Sequence, residues 1–211
     1  MKDAKTFWDN YAPRYARSRI ARPEDYQKKL QISRDYLTPQ SRVLEIGCGT
    51  GGTAIEHAPY VASILATDIS AEMIRIAEQN IHQAGVSNIE CQCGTIDTLH
   101  LQPGYYDVIF ALNLLHLLED VPATLQQLQR LLKPGGVLIS STALVAEAGL
   151  FARLLIRLMQ RVGLAPHVSL LSREQLLNQL NTAGFETAHD WPLHKGHVFL
   201  VSRCGDKDCA E

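Results

Sequence analysis

The sequence predicts an α/β fold: a doubly wound, mainly parallel sheet of seven strands with an antiparallel terminal hairpin and an N-terminal helical cap. Three observations carry this expectation. Short β-rich runs alternate with stretches of helical periodicity. A glycine-rich turn separates the first run from the helix after it. The last two runs flank a short turn around Pro192 and Gly196, as an antiparallel hairpin requires. Alternating strand and helix puts helices on both faces of parallel strands. Such sheets bind ligands at the carboxyl ends of their strands, where the winding direction reverses.

Taken in order, residues 3–38 read as two helical stretches that part near Pro23. Arg42-Val43-Leu44-Glu45-Ile46 is the first strand, followed by a helix over about 52–58 and a strand over 63–67. Ser70 is placed as the N-cap of a helix in which Met73, Ile76, Ala77 and Ile81 recur at helical spacing, and Gly85 marks its end. Strands over 89–92 and 107–111 flank a polar connector, 94–104. Asp120 and Pro122 open a helix with Leu125, Leu128 and Leu132 on one face, and Pro134-Gly135-Gly136 is expected to stop it ahead of a strand over 137–141. Residues 149–164 read as an inserted helix. Ser172 and Gln175 form a capping box for a helix ending at Gly184, and strands over 185–189 and 197–202 complete the sheet.

Composition sets the remaining bounds. With 211 residues, 46% of them hydrophobic and 20% charged, the chain can bury one sizeable core and lies outside the composition of disordered segments. The expected division is a cap over 1–38, a ligand-binding domain over 39–203 with a helical insertion at about 146–166, and a polar tail over 204–211. A net charge of -2, without a run of lysine or arginine, offers phosphates no long-range attraction, so nucleic acid is not an expected partner. The longest nearly uninterrupted apolar stretch, 108–118, is too short to span a bilayer, and the N-terminus lacks the features of a signal peptide. The expected location is the cytoplasm. Five cysteines, unevenly spaced, make no disulfide framework. Cys91-x-Cys93 and the tail pair Cys204 and Cys209 lack the remaining ligands of a metal site, and no metal is expected.

The chemistry concentrates in Val43-Leu44-Glu45-Ile46-Gly47-Cys48-Gly49-Thr50-Gly51-Gly52. A side chain at Gly47 or Gly49 would keep a ligand from the backbone, and glycine permits the positive φ of a tight turn. Exposed amides at the start of the next helix are expected to attract an anion. Nineteen residues past Gly49, Asp68 closes the second strand, where a carboxylate accepts hydrogen bonds from both ribose hydroxyls. A nucleoside is the expected guest. Because Gly47, Gly49 and Gly52 also satisfy the dinucleotide pattern G-x-G-x-x-G, the glycines leave two cofactor types open. Glu45 favours one with a cationic ammonium and no pyrophosphate.

Four stretches in order, Glu45-Ile46-Gly47-Cys48-Gly49-Thr50-Gly51, Thr67-Asp68-Ile69-Ser70-x-x-Met73, Tyr106-Asp107-Val108-Ile109 and Leu132-Lys133-Pro134-Gly135-Gly136, resemble successive motifs of the class I S-adenosylmethionine methyltransferases, which share a Rossmann-like fold. They are most similar to the small-molecule branch that includes ubiquinone and menaquinone C-methyltransferase-like proteins (methyltransferase type 11/12). The resemblance runs over about residues 40–142. It implies S-adenosylmethionine as the cofactor. It also implies that the amides of Gly47, Cys48, Gly49 and Gly51 surround the methionine moiety, and that Glu45 holds the ammonium directly or through water. Asp68 then takes the ribose, while Ile69 and Met73 pack near the adenine. The family usually has an aspartate after the third strand for the adenine amino group; here Gly94-Thr95-Ile96-Asp97 puts threonine there. Thr95, Asp97 and the backbone near Ile96 are three ways to make that contact, and Asp97 reads equally as a solvated loop acid.

Methyl transfer from a sulfonium is an in-line displacement that removes a positive charge, so the protein mainly has to align nucleophile and methyl group and exclude water. If the acceptor, a small and apolar molecule, needs a base, His116 beyond the fourth strand is the candidate, with packing at a helix start as the other reading. Asn113 is expected to line the cofactor cleft through its backbone. Residues 7–15 resemble the cap of this branch. Within them Tyr11 and Tyr15, four apart on one helical face if Pro13 permits the helix, are candidates to approach the methionine end or the acceptor. In the insertion, Arg153, Arg157 and Arg161 recur every four residues among Leu, Ile, Phe and Met; the helix roofs an apolar pocket, rests on a membrane surface, or simply presents a solvated face. The rival functions are an NAD-dependent oxidoreductase on a similar fold and a non-catalytic cofactor-binding module.

Overall fold

A computed structural model describes residues 4–161, 165–194 and 196–205. Helices α1 (Ala4–Ala16) and α2 (Pro23–Arg34) precede β1 (Arg42–Ile46), α3 (Gly52–His57), β2 (Ser63–Asp68), α4 (Ala71–Ala84) and β3 (Ile89–Cys93). Then come β4 (Tyr106–Leu112), α5 (Val121–Leu131), β5 (Leu132–Ala143), α6 (Leu150–Arg161), α7 (Arg173–Thr182), β6 (Phe185–His194) and β7 (His197–Cys204). The sheet has the order β3-β2-β1-β4-β5-β7-β6. β1 to β5 pair in parallel, and β7 runs antiparallel between β5 and β6. Winding proceeds from β1 out to β3 and restarts on the other side of β1 at β4. That reversal opens a crevice above the carboxyl ends of β1 and β4.

Strand alternation divides the core into two layers. Leu44, Ile109, Leu138 and Leu200 face α5 and α7, burying Leu125, Leu128, Leu176 and Leu180. Their neighbours Val43, Phe110, Ile139 and Phe199 face the other way, against Ala54 of α3 and Ile74 of α4. Local signals set the helix ends as expected. Ser70 accepts from Met73 N and Gly85 closes α4 at φ 68°, Asp120 caps α5, and Ser172 with Gln175 forms a reciprocal capping box.

Three expectations need correction. Leu132 is not on the helix face but begins β5, paired with Tyr106, and the next pair is Val137 with Val108; Pro134-Gly135-Gly136 ends the helix yet lies inside the strand as a bulge. Lys133 Nζ donates to Asp107 Oδ1 at 2.5 Å while Asp107 Oδ2 accepts from Arg42 N, so the Asp107 side chain of the neighbouring strand ties down the bulge. Pro192 is not in the turn but in β6, whose register shifts beside it. β6 is the edge strand, where a residue without an N–H loses no ladder bond. Finally, Cys204, assigned to the tail, is buried as the last residue of β7. Residues 162–164 of the insertion, Lys195 and Cys209 lie outside the described residues. Among the described residues no helix is long and apolar enough to cross a membrane, and no group of three or more His, Cys, Asp or Glu could hold a metal ion.

Candidate active site

After β1 the chain turns through Gly47, Gly49 and Gly51 at φ 67°, 55° and 77°. Each glycine answers to a different neighbour. A Cβ would lie 2.8 Å from Leu114 Cδ1 at Gly47, 3.4 Å from Tyr15 Cε1 at Gly49 and 3.1 Å from Ala77 Cβ at Gly51, whereas Gly52 faces open space. The third closely packed glycine is therefore Gly51, and the dinucleotide spacing that relied on Gly52 has no packing reason behind it. Three amides inside the loop are engaged within the protein. Cys48 N donates to Thr67 O, Gly51 N to Cys48 O, and Gly49 N to the carboxylate of Asp68 at 2.9 Å.

Two acids flank this turn. Asp68, at the end of β2, accepts from Gly49 N and Ser70 N, bonds that oppose the upward push of burial on its pKa. Glu45 is 3% exposed, and its Oε2 is buried without a hydrogen-bond partner. Burial first, and the neighbouring charge of Asp68 second, push its pKa up to about 8. Near neutral pH it is mostly protonated until a cation arrives, because an isolated buried carboxylate is costly.

A cleft of about 430 Å³ opens beside the turn, lined by Tyr15, Gly47, Gly49, Asp68, Ile69, Met73, Thr95, Ile96, Asn113 and His116, with Asp97 at its rim. Glu45, Cys48, Gly51 and Tyr11 are absent from that lining. Glu45 and Cys48 are buried, Cys48 in one core layer with Ala54 and Phe110, while Tyr11 stacks on Phe7 with ring centroids 5.9 Å apart. Asn113 takes φ 55°, a conformation asparagine tolerates; its amide donates to Ser141 O and its Oδ1 accepts from Ser141 Oγ. Thr95 is tied to Thr98, whose Oγ1 accepts from Thr95 N, and Asp97 Oδ1 accepts from Gln127 Nε2. His116 Nδ1 accepts a long bond from Ala143 N, 3.4 Å, and burial and the nearby His197 hold its pKa down at about 4.

Sequence reasoning missed Trp8, Leu114, Leu117 and Leu118 in the lining. Trp8 carried a signal, since Trp8, Ala12 and Tyr15 share a helical face; Leu114 carried none, because what it fills is the space above a glycine on another strand. Helix α1 continues through Pro13 and docks on α4, packing Trp8 and Ala12 against Met73 and Ile76. Asp9 fastens it: Oδ1 accepts from Ser70 Oγ at 2.7 Å and from Glu72 N at 3.2 Å, and Oδ2 accepts from Lys5. These bonds, Lys5 foremost, hold the Asp9 pKa down at about 2.

A buried unpaired carboxyl, a second acid at the end of β2 and the cleft beside them are suited chemically to a nucleoside ligand with a cationic end. Residues 11–190 match the family described as a methyltransferase domain, and the chain belongs to it. It is a class I methyltransferase, an enzyme whose methyl donor is S-adenosylmethionine. An uncharacterized methyltransferase of Bacillus subtilis, YcgJ, is 28% identical over 178 residues, 83% of this chain and 70% of that protein. The crystal structure of YcgJ superposes with a TM-score of 0.68 at 24% identity, covering 79% of this chain and 73% of that one. A malonyl-[acyl-carrier protein] O-methyltransferase of Priestia megaterium is 31% identical over 65% of this chain, and a ubiquinone biosynthesis O-methyltransferase of Xanthomonas euvesicatoria 31% over 48%. The chain spans 50% and 43% of the length of these two relatives.

Proposed function

We propose that the chain passes the methyl group of S-adenosylmethionine to a small, largely apolar acceptor inside this cleft, and that it does so in the cytoplasm without nucleic acid. The observation that carries the reading is the unpartnered, buried Oε2 of Glu45 just before a turn whose Gly49 amide is already bonded to Asp68. An ammonium, reached through water, completes Glu45. Asp68 keeps lone pairs on both oxygens for a ribose diol, and the amino group of the adenine, packed between Ile69, Met73 and Ile96, goes to the second oxygen of Asp97. Bound there, the cofactor supplies a sulfonium methyl group.

The chain's own contribution is alignment and exclusion of water, effects that together can supply about 7–11 kcal/mol. Trp8 and Tyr15 of α1 close the cleft from above, while Leu114, Leu117 and Leu118 present an apolar wall to the acceptor. His116 enters as a neutral group. With Nδ1 accepting from Ala143 N, its proton sits on Nε2, which suits it to donate a hydrogen bond to the acceptor and not to act as a base. Cys48, Cys91 and Cys93 carry free thiols, which fits a reducing compartment.

Calorimetric titration with S-adenosylmethionine, then with Asp68→Ala, tests the site, and labelled methyl transfer into a metabolite extract, with the product identified by mass, tests the reaction. Unchanged affinity in Asp68→Ala overturns the placement. Saturable binding of NADH without binding of S-adenosylmethionine selects the oxidoreductase.

A further inference from the structure

Helix α6 presents an apolar stripe to solvent. Leu150, Phe151, Leu154, Leu155 and Leu158 are 72%, 83%, 61%, 48% and 59% exposed. Their spacing places them along one side of about two and a half helical turns, unlike the singly scattered apolar residues of an ordinary surface. The helix contains no Asp or Glu, and Arg153, Arg157 and Arg161 recur every four residues of its sequence, so its charge is of a single sign. The chain that returns from α6 is tied to the cleft wall. Ser169 N donates to His116 O at 2.7 Å and Ser169 Oγ to Leu118 O at 2.6 Å, and Gln160 Nε2 at the end of the helix donates to Pro166 O at 3.0 Å, so the segment that leaves the helix runs along the side of the cleft where His116, Leu117 and Leu118 lie.

We propose that α6 lies flat on an anionic membrane surface, its leucines at the acyl boundary and its arginines among the headgroup phosphates, and that the cleft takes an apolar acceptor from that layer. Charge decides between a bilayer and a second copy of the chain. Two copies of α6 packed about a two-fold axis would bring together two sets of arginines with no carboxylate on either helix. The stripe also lacks hydrogen-bonding side chains between its leucines with which a protein partner would set register. A bilayer needs only apolar area and opposite charge. The statement about the acceptor rests on the methyl-transfer reading, whereas the docking does not; vesicle binding without turnover would sink the former and leave the latter standing.

The test is co-sedimentation of the full chain with vesicles of phosphatidylcholine alone and of phosphatidylcholine mixed with phosphatidylglycerol. A basic residue near an anionic surface strengthens partitioning about fivefold, so three give on the order of a hundredfold preference for the anionic vesicles, lost at high salt. Leu154→Glu with Leu158→Glu, both exposed and so compatible with folding, should abolish binding with unchanged affinity for S-adenosylmethionine. Arg153→Gln with Arg161→Gln should reduce the preference for anionic vesicles about twenty-five-fold. No sedimentation of the folded protein, equal binding to both vesicle types, or self-association that the leucine pair abolishes without any vesicle binding, would each overturn the proposal.

Discussion

Binding of S-adenosylmethionine should expel a proton from Glu45. With its pKa pushed up to about 8, Glu45 is ionised in about one molecule in eleven at pH 7, so presenting a carboxylate to the ammonium costs about 1.4 kcal/mol there. The sign follows from the direction of the shift. As pH rises toward 8 the cost shrinks and the carboxylate's share of the affinity improves, about tenfold from pH 6 to 7 and roughly twenty-five-fold between pH 6 and 7.5, while the ligand's own α-amino group, with a pKa of about 7.7–8, loses less than half of its protons and offsets this by less than about twofold. Isothermal titration in buffers of different ionisation enthalpy should report release of about one proton per cofactor at pH 7. Glu45→Gln should abolish the release and flatten the pH dependence, and 5′-methylthioadenosine, which lacks the amino acid, should show neither effect in the wild type. A wild-type affinity independent of pH, with no proton released, would refute the assignment of Glu45 to the ammonium.

The same carboxyl should govern stability without ligand: its folded pKa lies above the usual 4.5, so the folded state holds the proton more tightly and stability falls as pH rises, by about 1 kcal/mol between pH 7 and 8. His57 and His116, both held near 4, act mainly below that window, and Glu45→Gln should level the calorimetric Tm across it. Gly47→Ala combines a left-handed backbone with a Cβ 2.8 Å from Leu114 Cδ1 and should cost about 2 kcal/mol or more in denaturant unfolding, less when paired with Leu114→Ala. Asp9→Ala removes the bonds to Ser70 and Glu72 and should raise the cofactor off-rate several-fold and speed amide exchange in α1, while Ser70 still caps α4. The kcat profile should show no inflection near pH 6.5, and His116→Gln should retain activity within about tenfold; a loss of 10²–10⁴ would instead mark His116 as a base.

The amino-acid string alone determined the order of the elements, the caps at Ser70, Asp120 and Ser172, the positive φ of Gly47 and Gly49, and the two acids on either side of the turn. All of these rest on interactions within a few residues of chain or on the period of a strand or helix, which a linear pattern records. Tertiary structure decided the rest: that Gly51 and not Gly52 packs closely, that Gly49 N is bonded to Asp68, that Pro134-Gly135-Gly136 bulges inside β5, that Pro192 sits in an edge strand, and that Tyr15 but not Tyr11 reaches the cleft. Each depends on a partner far along the chain, Leu114, Ala77, Asp68, Asp107 or the neighbouring strand, and no local pattern encodes which distant atom fills a given space.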